Sequence, residues 1–150
     1  MKVISKRLLD TEKVAKDFIK KISTGVYDRA LVVGLYGDLG SGKTTFTQAI
    51  ARILNIKEDV TSPTFVIEKK YPITWRPGFQ VGKFKKLIHI DAYRLDYARE
   101  LLALDWDKVV SDPKNIILIE WPERVLEVLP KNHMKIFFRF LSESEREITI

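Results

Sequence analysis

The apolar run Leu31-Val32-Val33-Gly34-Leu35-Tyr36 breaks off into Gly37-Asp38-Leu39-Gly40-Ser41-Gly42-Lys43-Thr44-Thr45, and no other feature of the chain restricts its fold so tightly. A short continuous run of aliphatic, β-rich residues is the pattern of a strand buried on both faces in a parallel sheet. The glycine-rich residues after Tyr36 cannot extend that strand. Gly37, Gly40 and Gly42 open backbone conformations closed to other residues. An apolar stripe of Phe46, Ala49, Ile50 and Ile53 then begins at helical spacing. A buried strand, a tight loop and a helix from Gly42 to about Leu54 are therefore expected in succession.

The rest of the chain repeats the alternation. Leu8 to Ile22 reads as an amphipathic helix with Val14, Ala15, Phe18 and Ile22 on one face, and Asp10 or Thr11 is the expected cap. Thr64 to Tyr71, Leu87-Ile88-His89-Ile90 and Ile116-Ile117-Leu118-Ile119 read as strands. Pro72 to Lys86, broken by Pro72, Pro77, Gly78 and Gly82, reads as a loop or irregular hairpin. Tyr97 to Leu104 is expected to form a short helix, and a second helix is expected from Pro122. Met134 to Leu141 and Arg146 to Ile150 read as a terminal hairpin. Strands alternating with helices predict an α/β three-layer sandwich with a mostly parallel central sheet, and 150 residues make one domain, 1–150.

Composition removes several function classes. The chain has no cysteine, which excludes disulfides, thiol catalysis and zinc–thiolate sites. His89 and His133 are too far apart in sequence to suggest a histidine-built metal site. The first seven residues are too polar for a signal peptide, and no apolar run is long enough to span a bilayer, so no membrane role and a cytoplasmic address are expected. A net charge of +6 suits a polyanion such as tRNA, and equally describes a solvated, lysine-rich surface.

Gly37-x-x-x-x-Gly42-Lys43-Thr44 is a complete P-loop pattern, and it lies in the strand–loop–helix context that the pattern requires. At average composition a chain of this length matches it by chance roughly once in 200. The chemistry explains each position. Backbone N–H groups from Asp38, Leu39, Gly40, Ser41, Gly42, Lys43, Thr44 and Thr45 can curl around phosphate, with the positive end of a helix dipole behind them. Lys43 brings a point charge to the outer phosphates, and the Thr44 hydroxyl is a hard oxygen ligand for Mg²⁺. No Asn-Lys-x-Asp guanine motif occurs, so ATP is the expected nucleotide.

Two further apolar runs end in carboxylates, Asp91 and Glu120. Ligands of open α/β sheets lie beyond the carboxyl ends of the strands, which would bring both acids to the phosphate loop. There one carboxylate can hold Mg²⁺ through water while the other orients or deprotonates the attacking water. Sequence does not divide these roles. Capping a strand, or pairing with Arg94 or Arg124, would account for either acid without chemistry. His89, inside its strand, reads as a packed core residue. The hydroxyl-rich Thr61-Ser62-Pro63-Thr64 occupies the position of a loop that senses a terminal phosphate, or of a plain turn.

Taken in order, Gly37-Asp38-Leu39-Gly40-Ser41-Gly42-Lys43-Thr44-Thr45, Thr61-Ser62-Pro63-Thr64-Phe65, His89-Ile90-Asp91-Ala92-Tyr93-Arg94-Leu95 and Ile119-Glu120-Trp121-Pro122-Glu123-Arg124 resemble the TsaE family, P-loop ATPases of tRNA threonylcarbamoyladenosine biosynthesis. The resemblance implies a weak, accessory ATPase that acts with a threonylcarbamoyl transferase subunit and that subunit's inactive paralogue. It implies Lys43 as the phosphate-binding lysine, Thr44 and Asp91 as Mg²⁺ residues, and Glu120 as the active-site glutamate near the metal. It also implies nucleotide contacts around Asp10 and Thr11. A scaffold or switch that binds nucleotide with little turnover is the rival reading. Two departures stand out. Pro72–Lys86, with Trp75, Arg76, Phe79, Lys83 and Lys85, is longer than the family's usual connection and reads either as an exposed contact loop for a partner or RNA or as a family-specific loop with no contact. The helix after the Asp91 motif, Ala98 to Leu104, keeps no acid but Glu100, which puts in doubt a role for other acids there.

Overall fold

Alternate side chains of a strand point to opposite faces of its sheet, so strands that are apolar throughout need a cover on both sides. The computed structural model, which describes residues 1–61, 67–74 and 82–150, supplies both covers. Its strands are β1 (Lys2–Ser5), β2 (Leu31–Tyr36), β3 (Glu68–Pro72), β4 (Lys86–Asp91), β5 (Asn115–Glu120), β6 (Met134–Phe140) and β7 (Arg146–Thr149). The α-helices are α1 (Leu8–Ser23), α2 (Lys43–Ile53) and α3 (Trp106–Ser111), and 3-10 turns span Ala98–Leu104 and Pro122–Arg124.

The strands form one sheet in the order β1-β7-β6-β2-β5-β4-β3. Its centre, β6-β2-β5-β4, is parallel throughout, and the antiparallel pairings lie at the two edges. On one face Leu31, Val33, Leu35, Ile116 and Leu118 pack against Val14 and Phe18 of α1 and Phe46 and Ile50 of α2. On the other, Val32, Ile88, Ile90, Ile117 and Ile119 pack against Leu101, Trp106, Val109, Val125 and Leu129. This is the expected three-layer α/β sandwich. No helix of the described residues is long and apolar enough to cross a membrane.

Several local expectations need correction. Helix α1 is capped at Arg7, one turn earlier than expected. Asp10 is its third residue and reaches back to accept the backbone N–H groups of Lys6 (3.0 Å) and Arg7 (2.9 Å). Those two bonds, with the Arg7 guanidinium nearby, hold the Asp10 carboxyl below its usual range. The helix expected from Pro122 is a three-residue turn, because the chain swings away at Val125 to bury that side chain against the sheet. Strand β3 begins at Glu68, and residues 62–66 of the strand and loop expected there lie outside the described residues.

The described ends of Pro72–Lys86 pack against the fold, while Lys83 and Lys85 are exposed. Pro72 ends β3, Ile73 donates to the Lys85 carbonyl (2.8 Å), and Ile73 and Phe84 are buried. The Phe84 ring lies 5.5 Å from that of Tyr27, and the Lys83 ammonium donates to the Tyr27 carbonyl. Trp75, Arg76 and Phe79 lie outside the described residues.

Candidate functional site

The loop joining β2 to α2 turns through three glycines of positive φ, Gly37 (146°), Gly40 (72°) and Gly42 (104°). Gly37 is doubly constrained, because a β-carbon there would lie 2.3 Å from the Phe138 carbonyl oxygen of β6. Gly37→Ala is therefore expected to cost about 2 kcal/mol or more, from backbone strain before the clash is counted. A urea midpoint equal to that of the native protein would show that the loop relaxes freely.

Parallel register brings the acids to this loop. Leu35 pairs with Glu120 and Glu120 with Asp91, so both carboxylates stand at one level at the strand ends. Each is only 4% exposed. The Thr44 hydroxyl donates to both Glu120 oxygens, Oε1 at 2.9 Å and Oε2 at 3.1 Å. Asp91 Oδ1 accepts the Tyr93 backbone N–H at 3.0 Å. Lys43 Nζ donates to the carbonyls of Gly37 (2.5 Å) and Asp38 (2.9 Å), and it lies 4.2 Å from the centre of the Trp121 ring. Burial pushes the Lys43 pKa below its ordinary value, against the pull of Glu120, Glu123, Asp91 and Asp38.

These residues surround a cleft of about 380 Å³, lined by Leu39, Lys43, Thr44, Asp91, Glu120 and Trp121 among others. Gly40, Gly42 and Thr45 line it too, and they also border a second cleft of about 320 Å³ on the other side of the loop. Thr11 and Ser41 line this second cleft, while Asp10 lines neither. The Ser41 hydroxyl is buried with no partner among the described residues. Asp38 contributes its carbonyl to Lys43 and to the Ser41 N–H. Thr61, from the expected sensor loop, accepts from Lys69 Nζ (2.8 Å) and lines neither cleft, and Ser62, Pro63 and Thr64 lie outside the described residues.

Three contacts were not foreseen. His89, read as a core residue, is fully buried but bonds Glu120 Oε1 through Nε2 at 2.9 Å. Arg146 Nε donates to the Gly40 carbonyl at 2.9 Å, tying the terminal hairpin to the loop. Trp121 holds φ 58°, a conformation rare outside glycine, with its ring 5.1 Å from Tyr93. Their signals were a histidine inside an apolar strand and a tryptophan directly after the strand-end glutamate. Nothing in sequence marked Arg146.

Among the described residues, no group of three or more His, Asp or Glu could hold a metal alone. Mg²⁺ does not need one, since it takes one or two carboxylates and leaves other positions to water and phosphate. Thr44, Asp91 and Glu120 offer that kind of oxygen set. The unpartnered Ser41 hydroxyl and the glycine cradle likewise fit an oxygen-rich ligand at the loop.

A glycine loop leading from a central parallel strand into a helix, with acids at the ends of the next two strands on one side, defines the P-loop class of α/β proteins. The family described as "Threonylcarbamoyl adenosine biosynthesis protein TsaE" matches residues 5–148. The tRNA threonylcarbamoyladenosine biosynthesis protein TsaE of Bacillus subtilis is 34% identical over 149 residues, 99% of this chain and 85% of that protein. The protein of the same name from Treponema pallidum is 35% identical over 119 residues, 79% of this chain and 80% of its own length. The crystal structure of Bacillus subtilis YdiB superposes with a TM-score of 0.65 at 27% identity, over 99% of this chain and 82% of that one. The chain belongs to the TsaE family, whose role lies in tRNA threonylcarbamoyladenosine biosynthesis.

Proposed function

We propose that the protein is an accessory ATPase that binds ATP with Mg²⁺ and hydrolyses it slowly, supporting attachment of threonylcarbamoyl to the adenosine beside the tRNA anticodon. The observation that carries this reading is the convergence of Lys43, Thr44, Asp91 and Glu120 on one cleft at the head of α2. Lys43 has three N–H donors and spends two on loop carbonyls, which aims the ammonium and leaves one for a phosphate oxygen. Thr44 gives its proton to Glu120, and its lone pairs stay available to a cation. Mg²⁺, when bound, supplies charge to offset that of the phosphates. Asp91 and Glu120 would supply oxygen contacts to the ion and orient the attacking water. The second cleft, bordered by Thr11 and Arg146, takes the nucleoside end.

On this reading the protein works in the cytoplasm with a threonylcarbamoyl transferase subunit and that subunit's inactive paralogue, and its basic surface favours contact with tRNA. The test is reconstitution. Protein, ATP, Mg²⁺ and the transferase pair should give many modified tRNAs per complex, with phosphate release in step. Modification with ATP bound but no phosphate released would replace the ATPase by a nucleotide-dependent switch. No dependence on this protein would reject both.

A further inference from the structure

Burying an imidazole costs free energy unless it is hydrogen-bonded, and Leu87, Ile88 and Ile90 show that apolar residues fill this strand well. His89 is nevertheless fully buried within it. Register explains the choice. His89 pairs with Leu118 and Asp91 with Glu120, so His89 and Glu120 are diagonal neighbours on the face that α2 covers. A carboxylate only accepts, so the 2.9 Å contact is donated by Nε2–H, and Nδ1 is buried without a partner among the described residues.

We propose that His89 is a positioning residue that fixes the Glu120 carboxylate for Mg²⁺-dependent nucleotide binding, an inference that rests on the site reading above. Glu120 is held from two sides, by Thr44 Oγ1 and by His89 Nε2. Thr44 belongs to the helix that carries the phosphate loop, whereas His89 belongs to a central strand. The imidazole therefore anchors the carboxylate to the sheet independently of the loop. A buried carboxylate with one donor removed loses its fixed orientation, and such outer partners typically govern metal affinity ten- to hundred-fold.

The test uses the full chain and calorimetric affinity for a non-hydrolysable ATP analogue, with and without Mg²⁺. The amide nitrogen of glutamine reproduces the place of Nε2, and that of asparagine reproduces Nδ1. His89→Gln should keep most of the Mg²⁺-dependent gain in affinity, while His89→Asn should lose about ten-fold or more of it. Both variants should melt at similar temperatures. In a Glu120→Gln background, changing His89 should have no further effect on the gain. A native-sized gain in His89→Asn, or a loss that persists undiminished in the Glu120→Gln background, overturns the inference alone. A native protein with no Mg²⁺-dependent gain overturns the site reading and this inference with it. His89→Leu adds a third point if it folds, and the Asn–Gln pair decides the question if it does not.

Discussion

Lys43→Ala is expected to weaken ATP binding by about ten- to hundred-fold, the worth of a desolvated charge-assisted contact to phosphate. Lys43 is 4% exposed and its ammonium is already aimed by the Gly37 and Asp38 carbonyls, so little ordering remains to be done when a phosphate arrives. Its removal also leaves those carbonyls without their shared donor and opens the face of Trp121. A pH series adds an independent signature. Burial lowers the Lys43 pKa, so the folded protein gives up this proton more readily than the unfolded chain. The contribution of this group to folding stability therefore rises as pH climbs through the window between the lowered folded pKa and the ordinary lysine value. ATP affinity should fall across the same window, because the neutral amine is the poorer phosphate partner. Calorimetry in alkaline buffers should show that fall in the native protein and lose it in Lys43→Ala. Equal affinity of the two proteins at neutral pH would remove Lys43 from the phosphate site.

Glu120→Gln should lower phosphate release in the complete tRNA-modifying mixture about hundred-fold or more, with a smaller effect on nucleotide affinity. The substitution is close to neutral in shape. The remaining side-chain oxygen can still accept His89 Nε2–H, and the new amide can face Thr44 Oγ1, so the buried contacts are rearranged without being lost. What disappears is the negative charge that a cation or an attacking water would use. Asp91→Asn, at the same level of the sheet, should act in the same direction. Phosphate release at the native rate from both variants would take catalysis away from these acids.

The parts of the molecule legible in sequence are those where a single physical demand dominates. Strand β2 was predicted with the bounds it has, and β4 and β5 each to within one or two residues, because a strand covered on both faces must be apolar throughout. The glycine loop was legible because few residue types tolerate its backbone. Strand β1 was missed because Lys2–Ser5 is short, lies at an edge, and buries only one residue, Ser5. Helix α3 escaped because Asp105, at φ 55°, separates it from the preceding turn and leaves two pieces too short to show a period. At the site, Lys43, Thr44, Asp91 and Glu120 were found because their chemistry is tied to strand ends. The Arg146 contact to Gly40 joins residues from opposite ends of the chain, and local sequence carries no record of it.

The place of β2 in the sheet has a kinetic consequence. It ends at Tyr36, but its two neighbours begin only at Asn115 and Met134. Neither side of the strand that supports the phosphate loop has a partner until most of the chain has been synthesised. Of the pairings between consecutive strands, β3 with β4 and β6 with β7 are peripheral and antiparallel, and β4 with β5 is parallel but must wait for Asn115 as well. Early folding on the ribosome can thus assemble helix α1 and an edge hairpin, while the loop has no rigid strand behind it. Long-range parallel pairing of this kind is slow, because loop-closure entropy is lost before any contact is gained. The nucleotide site should accordingly be among the last parts of the molecule to form. Substitutions in β5 or β6 that delay pairing with β2 should leave a compact, apolar-exposing intermediate that aggregates before it acquires affinity for ATP.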